Sequence, residues 1–234
     1  MGWRVSLGCL RTFADIQSPD FSAATRPART SSEISTGVRT LSSNISISAG
    51  IVRVDFMNSP QVTRARAVAE SRLVVLPDRF THVRGVVAAA NGLRAQFDAA
   101  SGDCLVAAAW LHDIGYAPSV RSTGFHPVDG AIFARREGFD ELVVSLVAFH
   151  SGAPAEARER GINGLSAFSV PPQQLLDALT FCDLTTGPDG SAVSPRDRLH
   201  EVLQRYGPDD PVHRAVDSVH RELLAAVDRV RAWL

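Results

Sequence analysis

The stretch Leu105–Ile114, LVAAAWLHDI, constrains the fold more than any other, because it is apolar except for an adjacent histidine and aspartate. Read as a helix over Cys104–Ile114, it is capped by Asp103 at its start and ended by Gly115. Such a helix is buried, and it carries an ionisable pair into the core. An ionised carboxylate there costs several kcal/mol unless a cation or hydrogen bonds compensate. Neighbouring helical residues differ in direction by about 100°, so His112 and Asp113 share one broad side and can reach one partner between them.

The rest of the chain from Met57 onward also reads as helices joined by short turns, with no run of period-two strands. Asn58-Ser59-Pro60 is a helix start, with Ser59 as cap and Pro60 at the first helical position. Helical patterns cover residues 61–76 and 79–98, the second carrying His82. Another helix begins at His126-Pro127-Val128-Asp129, and a short apolar one spans 140–151. Pro171-Pro172 opens the helix that delivers Asp183, and Gly187–Gly190 stops it. Amphipathic helices over Pro195–Tyr206 and 211–233 close the chain. The expected fold class is all-α, a helical bundle. Residues 1–56 differ, with ten serines and little apolar periodicity. They are expected to be a disordered leader, or an upstream extension if Met57 is the true start, which leaves the working domain in residues 57–234.

Composition narrows the function classes. The 234 residues carry a formal net charge of −1, so no global basic field draws the chain onto a nucleic-acid polymer or an anionic membrane. All 24 basic residues are arginine, from which no function follows. Cys9, Cys104 and Cys182 form no C-x-x-C pair, which suits a reducing cytoplasm with buried, inert thiols. No apolar run approaches the length of a membrane span. Self-association is compatible with all of this.

Of the seven histidines, His82, His112, His126 and His150 lie in apolar helical surroundings. A divalent metal is the simplest partner for His112-Asp113, and imidazole with carboxylate suits Mn, Fe, Co, Ni or Zn better than Ca. On that reading Asp113 burdens the metal-free chain, and Asp113→Asn should leave its stability unchanged or improve it. His126 before Pro127 could be only a helix-start residue, and His150 only a dipole-favoured one at a helix end. His200, His213 and His220, on amphipathic helices, are expected at the surface.

The order H…HD…D, in RFTHVRGV, AAWLHDIGY and LTFCDLTTG, resembles the HD-domain phosphohydrolase superfamily over roughly residues 70–190. The resemblance implies an α-helical fold and metal ligands at His82, His112, Asp113 and Asp183. The histidines of GFHPVDGA and VAFHSG resemble the members that hold two ions, with His126 and His150 added and Asp113 bridging. Asp113 then carries the catalysis, and the substrate is a small phosphorylated, nucleotide-like molecule. Tyr116 follows Gly115 where enzymes opening cyclic dinucleotides carry Lys, and Gly115–Pro118 replaces the acidic pair of the stringent-response hydrolases.

Arginines suited to a phosphate are Arg79 and Arg84 beside His82, and Arg121 in the glycine-containing loop before His126, of which Arg121 is the favoured one. Thr186 and Asp189 are candidates to line the pocket, although GPDG reads more simply as a turn. Two rival functions stand beside hydrolysis: a non-catalytic metal-containing ligand-binding or signalling module, and a di-iron oxygenase, which helical bundles also host. If the leader is dispensable, a chain beginning at Met57 should melt within a few degrees of the full chain and retain its activity. Thermal denaturation of both forms checks this, and a large loss of stability would show that the leader packs on the helices.

Overall fold

In the computed structural model of the chain, residues 59–234 are described, so the leader at residues 1–56 and the start at Met57 lie outside the described residues. Nine α-helices follow in order among them: α1 Pro60–Leu73, α2 Pro77–Leu93, α3 Ala99–Leu111, α4 His126–Arg136, α5 Glu141–Phe149, α6 Ala153–Arg160, α7 Gln173–Leu184, α8 Pro195–Arg205 and α9 Pro211–Arg231. Among the described residues the only strand-like pairing is an isolated bridge between Thr186 and Ala192, so the fold is all-α. No described helix is long and apolar enough to cross a membrane.

Helix α3 is the centre of the core. It is buried from Cys104 to Leu111 and packs against α1, α2, α5 and α7. The alanines at 107–109 let those neighbours approach closely on every side. Leu105 and Leu111 are fully buried, each contributing about 1.5–3 kcal/mol relative to exposure. A smaller cluster of Leu184, Leu199, Leu223 and Val227 joins α7, α8 and α9. Both described cysteines are buried, as expected.

Helix ends follow local chemistry, with several corrections to the sequence reading. Ser59 does cap α1, accepting from Val62 N at 3.4 Å. Helix α2 starts at Pro77 and stops at Leu93, short of the expected 98. Asp98, not Asp103, caps α3, accepting from Ala100 N at 3.1 Å and Ser101 N at 3.0 Å. Asp103 lies inside the helix and pairs with Arg94. The helix begins earlier than expected because the small, polar run before Cys104 continues it without a break.

At its other end α3 stops at Leu111 rather than Ile114. His112 is its C-cap, Asp113 has left the helix (φ −102°, ψ 9°), and a 3-10 turn covers Ile114–Tyr116. Gly115 therefore does not end the helix through a left-handed conformation, and its φ is negative. Its role is close approach, since a Cβ there would lie 2.0 Å from the carbonyl oxygen of His126. Helix α6 escaped the sequence reading, although Pro154 in its first turn and left-handed Gly161 (φ 66°) at its end are its signals.

Gly115→Ala should therefore force the turn after α3 away from the start of α4. The expected cost is roughly 1–3 kcal/mol in denaturant unfolding, the range for overpacking a filled core. A neutral result would show that the two segments can separate freely.

Candidate metal centre

Four helix segments deliver five of the donors. His82 comes from the middle of α2, His112 and Asp113 from the end of α3, His150 from the end of α5, and Asp183 from the last turn of α7. His126 stands at the first position of α4. The structure brings all six together. His82, His112 and Asp113 each offer an atom within 4.8 Å of the others, and so do Asp113, His126 and His150. Asp113 is common to both groups. Its Oδ1 lies 3.6 Å from His126 Nε2 and 3.9 Å from His150 Nε2, while Oδ2 lies 3.5 Å from His112 Nε2. Asp183 Oδ1 is 3.1 Å from His82 Nε2.

The backbone fixes which ring nitrogen faces inward. Nδ1–H of His82 can donate to Gly187 O at 3.0 Å, that of His112 to Ala109 O at 2.8 Å, and that of His150 to Val147 O at 2.7 Å. For His112 and His150 the bond leaves Nε2 as a lone pair aimed at the cluster, the tautomer a metal requires, whereas His82 Nε2 faces the Asp183 carboxylate, whose hydrogen bond raises the His82 pKa against the effect of burial. His112 Nε2 is buried with no hydrogen-bond partner. A buried acceptor without a partner is unfavourable by about 1–3 kcal/mol, and coordination to a cation would remove that penalty. The Nε2 atoms of His126 and His150 lie 3.3 Å apart, a hydrogen-bonding distance when one of them carries the proton. The donor set therefore fits divalent ions.

Burial alone would raise the Asp113 pKa, but the Arg79 guanidinium, followed by the surrounding histidines, holds it well below the usual carboxylate range. Arg79 Nη1 donates to Asp113 Oδ2 at 2.8 Å. The same guanidinium lies 4.1 Å over the Tyr116 ring, which stacks on His126 at 4.1 Å. Asp183 is likewise depressed despite burial, mainly by the His82 hydrogen bond. Burial pushes the His126 and His112 pKa values down and so favours neutral, metal-ready rings. Ser151, in a left-handed conformation (φ 44°, ψ 44°), turns its hydroxyl onto Asp183 Oδ2. Such strain in a non-glycine residue persists where the surroundings hold it in place.

Among the residues weighed for substrate contact, the structure separates the candidates. Arg121 is exposed and lines a smaller cavity that adjoins His126 and Tyr116. Arg79, one helical turn before His82, is the arginine in contact with the donors, and that i, i+3 spacing was the available signal. Thr186 is buried and donates to Cys182 O at 2.7 Å, packing rather than facing the site. Asp189 is exposed and holds its own turn through Ser191 N at 3.0 Å, so neither residue lines the cavity at the centre. Asp129, read as a helix-start residue, is buried and accepts from Thr123 N at 2.7 Å and Gly124 N at 3.0 Å, fixing the loop ahead of His126.

That cavity opens beside the donors and is walled in part by α8 and α9. Sequence reasoning missed Ser151, Glu156, Arg198 and Tyr206, all of which line it. Of the other histidines, His200 is exposed, while His213 Nδ1 sits 2.9 Å from Tyr206 O and ties α9 to the end of α8.

The helices bring together clustered histidine and carboxylate donors of a kind that could hold a metal ion. The family model for the HD domain matches residues 79–223, and the chain belongs to the HD-domain family. Members of this family bind divalent metals and are generally metal-dependent hydrolases. Comparison with curated proteins gives no significant match, and neither does comparison with solved structures.

The Arg79 ion pair reverses one expectation. Asp113 already has a cation partner within the chain, so Asp113→Asn should lower metal-free stability by roughly 1–3 kcal/mol instead of raising it, because Arg79 loses its carboxylate. Metal affinity should also fall sharply. The depressed folded-state pKa values of Asp113 and Asp183 stabilise the metal-free fold above the unfolded carboxyl value of about 4, and that contribution disappears as the pH falls through the folded values. Chelator-treated melting curves from pH 7 to pH 3 check both points, and the variant should show the weaker acid dependence.

Proposed function

We propose that the protein is a metal-dependent phosphohydrolase acting on a phosphate ester or phosphoanhydride of a small, nucleotide-like molecule. The observation that carries this reading is the unpartnered, buried Nε2 of His112, set within two overlapping groups of donors at the floor of an arginine-bearing cavity. Divalent ions held there would supply Lewis acidity, lowering the pKa of water to roughly 7 and neutralising charge on a phosphoryl oxygen. His82, His112, Asp113 and Asp183 would hold one ion, and Asp113, His126 and His150 a second. Asp113 is common to both groups, so its carboxylate would span the pair. Arg79 keeps that carboxylate ionised and oriented. The Ser151 hydroxyl does the same for Asp183.

The test is metal analysis of the purified protein, followed by a screen of phosphomonoesters and nucleotides with Mn, Fe, Co, Ni and Zn. Chelator-sensitive hydrolysis with at least one metal is expected, together with two ions per saturated chain. Changing His126 and His150 to Ala should lower the metal content toward one and depress turnover. Absence of hydrolysis across the metal-saturated screen would overturn the reading, and a single ion in the unmodified protein would overturn the two-ion part.

A further inference from the structure

The cavity beside the donors is also lined by Arg198, on the first turns of α8. The residue is 8% exposed, yet the carboxylate it pairs with is Glu201, one turn along and partly exposed. The ion pair to that partly exposed carboxylate contributes little, and the guanidinium is also within electrostatic reach of the buried carboxylate of Asp183, which lines the same cavity. Its Nε is buried with no hydrogen-bond partner. Glu201 is also taken by Arg205, whose Nε donates to it at 2.8 Å. Two guanidinium groups thus share the Glu201 carboxylate.

The surroundings of Arg198 say what fits there. Leu184, Leu199, Val202 and Val216 form the adjoining wall, with Tyr206 at its edge. The negative pole of a ligand would therefore be gripped at one end, and an apolar or planar body would lie along α8 and α9. Arg205 is already engaged, so this wall provides for one anionic group rather than a chain of phosphates.

We infer that Arg198 is the anion-binding residue of this site, its guanidinium donating to a non-bridging oxygen of a terminal phosphate whose organic part rests on the apolar wall of α8 and α9. The inference rests on the phosphohydrolase reading for the chemistry and narrows its substrates to phosphomonoesters with an apolar or planar group. A hydrogen bond from a charged donor in a buried site corresponds to roughly a ten- to hundred-fold change in affinity.

Binding, not turnover, provides the test. The full chain, loaded with Mn, is titrated calorimetrically with inorganic phosphate and with phenylphosphonate, which cannot be hydrolysed. Both should bind, phenylphosphonate more tightly. Arg198→Gln should weaken both by roughly ten- to hundred-fold with metal content unchanged, and Glu201→Gln should leave both intact. If Arg198→Gln melts early, Arg198→Lys carries the comparison, because it keeps the charge and stem but lacks the planar guanidinium fork, and it should also bind more weakly. Unaltered binding by the folded Arg198 variants would overturn the inference, as would equal weakening by Glu201→Gln, which would mark Arg198 as a structural staple. No phosphate binding by the unmodified protein would overturn it too, and phenylphosphonate binding no tighter than phosphate would overturn the apolar wall. Hydrolysis in the screen with normal binding by Arg198→Gln would sink this inference alone. The expected binding pattern without hydrolysis of any substrate would sink the hydrolase reading alone.

Discussion

The structure depends on one buried carboxylate. Asp113 is 4% exposed at the end of the most enclosed helix, and water cannot solvate it there. Several kcal/mol of desolvation must be offset by charge and hydrogen bonding in fixed geometry. Arg79 on α2 supplies the direct ion pair, and His112, His126 and His150 surround the same group. Each partner comes from a different helix or helix end, so the burial of Asp113 fixes how α2, α3, α4 and α5 meet. Gly115, two residues on, lets the chain turn against α4 closely enough to bring His126 in.

Much of this could be read from the sequence, for reasons that differ by element. His112-Asp113 was legible because an ionisable side chain is stable in an apolar helical stretch only where a partner offsets its burial, whereas His82 and Asp183 were added by the resemblance of the H…HD…D order to the HD-domain superfamily. The all-α class was legible because no segment alternates with period two. Local boundaries were less so. Asp98 and Asp103 are both plausible caps, and only the backbone donors of Ala100 and Ser101 decide between them. Helix α6 is short and mostly polar, so its pattern was lost behind the turn at Ser151 and Gly152.

Residues that reach the cavity from far along the chain were the least legible. Arg198 and Tyr206 lie on or beside an amphipathic helix whose pattern records only that one face is buried, not what that face meets. Among the arginines suited to a phosphate, Arg121 was favoured because it sits in a glycine-containing loop at the expected mouth of the site. Tertiary packing reverses that preference, placing Arg79 against Asp113 and leaving Arg121 exposed. Thr186 and Asp189 follow the donor Asp183 closely in sequence, but the turn they build carries them out of the cavity.

The helix ends add an electrostatic reason for the division of labour in the site. His112 caps the C-terminus of α3, His150 that of α5, and Asp183 lies in the last turn of α7. Three helix C-termini therefore converge on the donors, and each carries partial negative charge from its unpaired carbonyls. Two of those carbonyls, Ala109 and Val147, stand three residues before His112 and His150 and lie within hydrogen-bonding distance of their Nδ1 atoms. The helix end thus satisfies one of its own carbonyls and fixes the ring in the same contact. Converging C-termini favour a cation and disfavour an anion, so they suit metal ions but give a phosphate no help. On the proposed reading, anion recognition would then come from the ions and from guanidinium groups, and Arg79 on α2 with Arg198 and Arg205 on α8 line this cavity.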